Sequence, residues 1–402
     1  LPHSSPCGSI REKTCQITQP TFRKQRKVKK MKKIATIVCA SFLLLACNAE
    51  GKQQEDAGKT VQRTVQTENL LKNLKKIHQT GFMFGHHDDP LYGIKWEGDA
   101  GRSDVKSVCG DYPAVMSFDL GHIELGNKES LDKISFDKIR TEMINQYKRG
   151  GMVSVSWHLD NPLTGGDSWD VKTPGAVTAI LPGGSKHELF LTWLDRIAAF
   201  FNQLKTDDGE KVPVLFRPWH EHTGSWFWWG KNLCTPDQYK QLWQLTRSRL
   251  DEKKVDNLLY AYSPGTEGIG DVYMERYPGN EYVDLLGVDG YQFGGVAGTD
   301  NYIKTLDMML AFMTEKGKEL DKPIALTETG LEALPLSNWW TEVLLPVVEK
   351  YPVAYVLVWR NARERDNHFY APYPGQASAA DFVKFYENPK TLFSQDNLNL
   401  YK

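Results

Sequence analysis

The chain has 402 residues, of which 41% are hydrophobic and 25% are charged, as in an ordinary globular protein. The net charge of −1 conceals an uneven distribution, because residues 1–33 carry ten Lys or Arg and one acid, whereas 39 basic and 49 acidic residues follow from Cys47 onward. This acidic body argues against a nucleic-acid partner, since binding a phosphate backbone needs a positive surface.

A lysine-rich segment at residues 29–33 precedes the apolar stretch Ile34–Leu45. That stretch is too short to span a bilayer, but it has the length of a signal-peptide core. Residues 44–47 (LLAC) look like a bacterial lipobox, which predicts that Cys47 is acylated. The alternative is an ordinary signal peptide with a chance cysteine.

These signals predict four segments. Residues 1–30 are predicted to be an upstream segment translated from a misplaced start, and residues 31–46 are predicted to be a lipoprotein signal peptide. Residues 47–62 are predicted to form a flexible tether, and residues 63–402 are predicted to form one folded domain. The basic run at residues 23–30 has an alternative interpretation as a nucleic-acid-binding tail. We expect an exported monomer held by membrane lipid through Cys47, on the periplasmic or cell-surface side of a bacterial membrane.

Two cysteines, Cys109 and Cys234, remain in the predicted domain. They leave open either a disulfide or two buried free thiols, and the second is favoured because two cysteines do not make a disulfide framework. The sequence has no CxxC motif or Cys/His cluster that would indicate zinc.

Short strand-like runs recur along the domain, and helical patterns such as Phe190–Leu204 and Pro236–Leu250 separate several of them. The eight runs are Phe82–Phe84, Ala114–Phe118, Met152–Trp157, Val212–Arg217, Leu258–Tyr262, Leu285–Val288, Ile324–Thr327 and Ala354–Trp359.

The runs are continuously apolar, as a parallel sheet buried on both faces requires. Eight strand and helix units in alternation favour an α/β fold with one closed (β/α)₈ TIM barrel over an open sheet. A dinucleotide-binding fold loses its main support because no GxGxxG motif follows the first strand.

Polar and aromatic residues follow the predicted strands, where a barrel carries its catalytic groups. Glu221 follows the fourth strand and Glu328 ends the seventh, so the two face each other across the barrel. Glycoside hydrolysis needs such a pair, one protonating the leaving oxygen and the other attacking C1 or activating water. Arg217 is expected to donate hydrogen bonds to Glu328 and keep it charged.

Tryptophans crowd the sequence around Glu221, and exposed aromatic rings stack on the faces of sugars. We expect Trp226 to line the cleft, and Trp219 with one of Trp228 and Trp229 to be buried. Adjacent His86 and His87 point in opposite directions and seldom chelate one ion, so neither a metal nor another cofactor is predicted.

The run from Arg217 to Gly230 (RPWHEHTGSWFWWG), together with Leu326–Gly330 (LTETG), resembles glycoside hydrolase family 26 over roughly residues 65–400. The resemblance implies a retaining (β/α)₈ enzyme with Glu221 as acid/base and Glu328 as nucleophile. It also implies that a set of residues surrounds the sugar at the cleavage point: His158, Trp169, Arg217, His220, Trp226, Tyr291 and Trp359.

Most of this family cleaves β-1,4-mannan, so the resemblance implies mannan, galactomannan or glucomannan polysaccharide, or manno-oligosaccharides, as substrate. Two alternatives remain: the same mechanism on β-1,3-xylan or mixed-linkage glucan, and a non-catalytic glycan-binding lipoprotein. The sequence leaves internal cutting and release of mannobiose equally open. Loops at Ser168–Lys186 and Phe293–Asn301 are candidates for a wall of the cleft.

Overall fold

In the computed structural model, which describes residues 61–267 and 269–402, eight parallel strands form a closed ring. In chain order they are β1 (Phe82–His87), β2 (Val115–Asp119), β3 (Met152–Ser156), β4 (Val214–Arg217), β5 (Leu258–Tyr262), β6 (Leu285–Tyr291), β7 (Ile324–Gly330) and β8 (Val353–Val358). Each predicted apolar run overlaps one of these strands.

The ring closes between its first and last strands. β1 pairs with β8 from Met83 opposite Tyr355 to His86 opposite Val358, and each remaining strand pairs with its neighbour in chain order. The predicted (β/α)₈ fold is confirmed, and all eight strands therefore deliver their carboxyl ends to one mouth.

Helices cover the outside of the ring. Their bounds are Val65–Leu74, Asp104–Cys109, Phe136–Lys148, Ala176–Ile180, His187–Gln203, Pro236–Glu252, Asp271–Glu275, Thr299–Leu320, Leu345–Val348 and Ala379–Tyr386. Shorter elements are the 3₁₀ turns Ile77–Gln79 and Gly295–Gly298, the π turn Trp340–Leu344, and the strands Tyr92–Gly93, Trp96–Glu97 and Thr391–Leu392.

Local sequence explains where the helices begin. Thr235 accepts a hydrogen bond from the backbone of Gln238, whose side chain caps the Thr235 backbone in return, and Pro236 opens the helix. The predicted helix Phe190–Leu204 is found at His187–Gln203, with Leu194 and Ile197 buried against the sheet.

Strand residues alternate between two apolar layers. In β4, Leu215 belongs to the cluster inside the barrel, whereas Val214 and Phe216 pack under the helices. Arg217 has the same parity as Leu215, so the strand directs it inward. The interior is thus apolar in its lower part and becomes polar toward the mouth.

The lipidation of Cys47, the signal peptide and nearly all of the tether lie outside the described residues. Within residues 61–267 and 269–402, none of the helices has the length and apolar character needed to cross a bilayer. Cys109, half-buried, and Cys234, buried, are both free thiols, as the favoured alternative predicted, although Cys109 is less buried than expected.

Candidate active site

A cavity of about 380 Å³ opens at the carboxyl ends of the strands. It brings together eight of the residues predicted to form the site: His158, Trp169, His220, Glu221, Trp226, Tyr291, Glu328 and Trp359. Arg217, predicted with them, does not line the cavity but lies buried beneath it, with 1% of its surface exposed.

Glu328 reaches the cavity because strand β7 is irregular. Ala325 faces the barrel interior and Leu326 faces the helices, so strict alternation would turn Glu328 outward. The pairing with β6 shifts here, since Val288 pairs with Leu326 but the next residue, Asp289, pairs with Glu328. A bulge of this kind re-aims the side chains that follow it, and it places Glu328 inside.

Both carboxylate oxygens of Glu328 are held. Arg217 donates from Nη2 to Oε1, and the Tyr291 hydroxyl donates to Oε2 at 2.8 Å. Arg217 also donates from Nη1 to Asp289 Oδ2 at 2.7 Å, and it bridges the two acids. Burial alone would lower the pKa of the Arg217 guanidinium. The charges of Asp289 and Glu328 outweigh burial and raise that pKa above its usual value.

The second carboxyl, Glu221, stands on a strained turn just after β4. Glu221 and Trp219 both adopt left-handed backbone conformations, with φ of 53° and 57°. Such conformations cost about 1 kcal/mol or more for a residue with a side chain, so surrounding contacts must hold them. The Glu221 N–H donates to the Ser263 carbonyl at 2.8 Å, and the Tyr239 hydroxyl donates to the Trp219 carbonyl at 2.7 Å.

The surroundings of Glu221 favour its protonated form. Burial in the cavity wall, followed by repulsion from Glu328 and Asp289, raises the pKa of the Glu221 carboxyl well above its ordinary value. The Trp226 indole N–H donates to Glu221 Oε2 at 2.6 Å and opposes this shift. The two glutamates thus differ in environment: a guanidinium contacts one, and apolar burial governs the other.

A buried chain of hydrogen bonds stands beside Glu221. The Nδ1 of His158 donates to Asp119 Oδ2 at 2.7 Å, and His158 Nε2 shares a hydrogen bond of 3.1 Å with His220 Nε2. Burial, followed by the charge of Arg217, lowers the pKa of His220 well below its usual value. Because only one of the two Nε2 atoms carries the proton of this bond, the tautomer of each ring depends on the other.

Aromatic rings form the walls of the cavity. The Trp169 ring stacks on His158 at 5.4 Å between centroids, and Trp359 stacks on the buried His87 at 4.0 Å. Trp226 is exposed at the cavity as predicted. Trp228 and Trp229 are both buried, where the sequence predicted burial for only one of them.

Five cavity residues were not among the predicted site residues: Phe227, Glu267, Phe293, His368 and Tyr370. Phe227 belongs to the tryptophan-rich run, and Phe293 begins the loop Phe293–Asn301 that the sequence offered as a candidate wall of the cleft, so both carried a local signal. His368 and Tyr370 lie in the connection after β8, where no motif marks them. Only the return of that loop over the mouth brings them to the site.

The adjacent histidines have separate partners. His86 Nδ1 lies 2.8 Å from Asp89 Oδ1, whereas His87 stacks on Trp359. Within the part of the chain that the structure describes, no group of three or more His, Cys, Asp or Glu side chains is arranged to hold a metal ion.

The two carboxyl groups of the cavity, Glu221 and Glu328, can together protonate one atom of a substrate and attack the neighbouring atom. This is the chemistry of glycosidic bond cleavage.

Comparison with known proteins agrees with this chemistry. Residues 60–342 match the model of the family described as glycosyl hydrolase family 26. A mannan endo-1,4-beta-mannosidase of Bifidobacterium adolescentis is 32% identical over 92% of this chain, which spans only 39% of that longer protein. One of Bacillus subtilis is 30% identical, covering 82% of this chain and 89% of its own length.

Solved structures extend the comparison. A GH26 beta-mannanase from Bacteroides ovatus is 60% identical, with a TM-score of 0.83, covering 85% of this chain and 98% of its own. A double mutant of an endo-beta-1,4-mannanase from Cellulomonas fimi is 33% identical, with a TM-score of 0.78, covering 85% of this chain and 78% of its own.

Proposed function

The chain belongs to glycosyl hydrolase family 26, and we propose that it hydrolyses β-1,4-mannosidic bonds in mannan, galactomannan or glucomannan with retention of anomeric configuration. The observation that carries the proposal is a pair of carboxyl groups in one cavity with different surroundings. Glu328 accepts a hydrogen bond from Arg217, whereas burial raises the pKa of Glu221. The mannanases among its relatives favour mannan over another β-glycan.

In the first step, the Glu328 carboxylate attacks the anomeric carbon of the sugar at the cleavage point. The bond from C1 to the bridging oxygen breaks, and Glu221 gives its proton to that oxygen, so the leaving sugar departs as an alcohol. The product of this step is a covalent glycosyl ester on Glu328, while Glu221 becomes a carboxylate.

In the second step, Glu221 acts as the base. It removes a proton from water, whose oxygen attacks C1 and displaces Glu328. Both glutamates return to their starting forms, and two inversions at C1 give net retention. The Tyr291 hydroxyl and Arg217 keep the Glu328 carboxylate in one orientation during both displacements.

Substitution of the two glutamates tests this assignment. We expect Glu328→Ala to lower mannan hydrolysis by several orders of magnitude with an unchanged melting temperature, because no group remains to attack C1. Glu221→Ala should also lose mannan hydrolysis yet keep the first step on aryl mannosides with good leaving groups, since protonation matters less there. Reducing-sugar and aryl-release assays measure both.

An exposed glutamate far from the mouth supplies the control. Glu349→Ala, just before β8, should keep normal activity. Near-normal turnover of mannan by the Glu328 variant would refute the assignment, and proton NMR of the first-formed anomer tests retention independently. A protein that binds mannan but releases no reducing sugar would instead be the non-catalytic glycan-binding lipoprotein.

We also propose that the protein is an exported lipoprotein anchored through acylated Cys47. The lysine-rich residues 29–33, the apolar stretch Ile34–Leu45 and the lipobox-like residues 44–47 support this proposal. Expressed in a bacterium, the full chain should partition into detergent, whereas Cys47→Ser should remain in the aqueous phase. Equal partitioning of the two proteins would contradict the anchor, and Cys39→Ser is the matched control.

A further inference from the structure

A second, smaller cavity adjoins the first. Its volume is about 240 Å³, and Glu267, Tyr291 and Phe293 line both cavities. Beyond these shared residues its walls include Thr266, Asn301 and Thr305. This side pocket is smaller than the roughly 300–1,000 Å³ of drug-sized ligand sites, so it suits one sugar ring rather than an oligosaccharide.

Phe293, at the entrance of the side pocket, is unusually exposed. It has 76% of its surface accessible, although a large apolar ring is normally covered. Its ring lies 6.1 Å from that of Tyr291, which borders the main cavity. An exposed ring beside a cavity lined with hydroxyl, amide and carboxylate groups has the composition of a sugar-binding surface.

The loop that carries Phe293 is fixed by its neighbour. The Gln292 side chain donates to the Gly295 carbonyl and to the Thr299 hydroxyl, each at 2.9 Å, and accepts from the Trp339 indole N–H at 2.8 Å. Gly294 supplies the positive φ of 79° that the turn needs. The backbone that carries Phe293 is therefore held in place before any ligand arrives, which lowers the entropy cost of binding.

The order of strands places the side pocket on the leaving-group side. In the proposed reaction, the attacked sugar lies between Glu328 near the end of β7 and Trp359 after β8, and Glu221 after β4 protonates the bridging oxygen. The departing unit therefore extends away from β8 toward the loops after β4, β5 and β6. Glu267 follows β5 and Phe293 follows β6, so the side pocket stands where that unit emerges.

We propose that the side pocket binds one hexosyl unit of the leaving group, with Phe293 as the stacking surface at its entrance. The inference rests on the proposed glycosidase function and adds a subsite to it. Asn301 and Thr305 offer amide and hydroxyl groups to the sugar, and Glu267 accepts from its hydroxyls. The unit is either the next backbone sugar or a galactosyl branch, because both are hexopyranoses.

Two variants test the subsite. Phe293→Ala removes the ring, and Thr305→Trp fills the pocket from a position that does not line the main cavity. Three substrates are compared: an aryl β-mannobioside, whose leaving group is no sugar, linear mannopentaose, and mannopentaose with a galactosyl branch. The control Val296→Ala shortens another apolar side chain of the same loop. Like Phe293, Val296 is exposed, but it lines neither cavity.

We expect each variant to lower kcat/KM for an oligosaccharide by about tenfold more than for the aryl substrate, because only the oligosaccharide occupies the side pocket. Val296→Ala should leave the ratio unchanged. A larger loss on linear mannopentaose identifies a backbone unit, and a loss confined to the branched substrate identifies the branch; either result supports the subsite.

Equal losses on all three substrates in both variants would overturn the subsite while leaving the glycosidase function intact. A wild-type protein that cleaves none of the three would overturn both proposals together. The two failures are therefore distinguishable in one set of assays. Acceptor competition gives a second measurement: added mannobiose should divert the wild-type glycosyl-enzyme into longer products, and Phe293→Ala should reduce this transfer relative to hydrolysis.

Discussion

At the scale of single residues, the site gives two chemically identical side chains, Glu328 and Glu221, different hydrogen-bond partners and different surroundings. Glu328 receives hydrogen bonds from a guanidinium and a phenol, while Glu221 has one indole N–H and an apolar wall. Since burial favours a neutral carboxyl and a donated hydrogen bond favours a charged one, the balance at Glu221 depends on Trp226. That balance is open to measurement.

We expect Trp226→Phe to move the basic limb of activity to higher pH. The indole hydrogen bond lowers the pKa of Glu221, so its removal raises that pKa further. A general acid works only while protonated, and activity is lost as pH rises through its pKa. The profile of kcat/KM against pH on mannopentaose measures the shift.

The control for this shift is Trp169→Phe, which changes an exposed indole in the same cavity that stacks on His158. It should weaken substrate binding without moving the basic limb. A Trp226→Phe limb that stays in place, or that moves to lower pH, would contradict the role of the indole hydrogen bond.

At the scale of elements, the seventh strand decides the site. Its irregular pairing with β6 and β8 turns Glu328 into the barrel, and the extra residue, Thr327, donates to Asp289 Oδ1 at 2.6 Å. The strand ends at Gly330, where φ is 153° and the backbone passes close to Tyr370. Strand β7 thus positions both Glu328, the proposed nucleophile, and a wall of the cavity.

We expect Gly330→Ala to lower activity and to destabilise the protein by about 1–3 kcal/mol, the usual range for overpacking a filled site. An added Cβ would lie 2.3 Å from Tyr370 Cδ1, so the tyrosine, which lines the cavity, must move. Denaturant unfolding and mannopentaose kinetics measure the two effects.

Backbone strain is separated from steric contact by a second glycine. Gly110 has φ of 88°, and an added Cβ would meet nothing within 4 Å. Gly110→Ala should cost about 1 kcal/mol through strain alone and keep full activity. If Gly330→Ala is as active as Gly110→Ala, the contact with Tyr370 does not shape the site.

At the scale of the whole molecule, backbone pairing that closes the ring stabilises the barrel without a disulfide between Cys109 and Cys234. β1 and β8 join through parallel backbone pairing, and the apolar layers inside and outside the ring are continuous around it. A domain of this size buries enough apolar surface to fold without disulfides. Cys109 and Cys234 accordingly serve as packing residues, with Cys234 close to the Arg276 guanidinium.

We expect reductant to leave the thermal unfolding midpoint unchanged. A disulfide between the two cysteines would contribute about 2–4 kcal/mol, and its reduction would lower the midpoint clearly. Alkylation and peptide mapping should find Cys109 and Cys234 as thiols, with the buried Cys234 labelled only after unfolding. A peptide cross-linked between them before reduction would contradict this expectation.

The sequence predicts much of this architecture because its signals are local. Eight apolar runs mark the strands, since a strand buried on both faces must be apolar throughout. The motif around Glu221 and the tryptophans beside it are contiguous, so composition alone marks that side of the mouth. Tyr370 and Glu267 reach the cavity through loop paths that leave no comparable pattern.

What the sequence by itself determined is the (β/α)₈ fold, the chemical identity of the two glutamates, and their places after the fourth strand and at the end of the seventh. Tertiary structure alone decided that Glu328 faces inward, because a bulge depends on pairing with neighbouring strands rather than on the residues of one strand. It also decided the burial of both Trp228 and Trp229 and the side pocket at Phe293. These features arise where distant segments meet, and only the closed barrel brings those segments together.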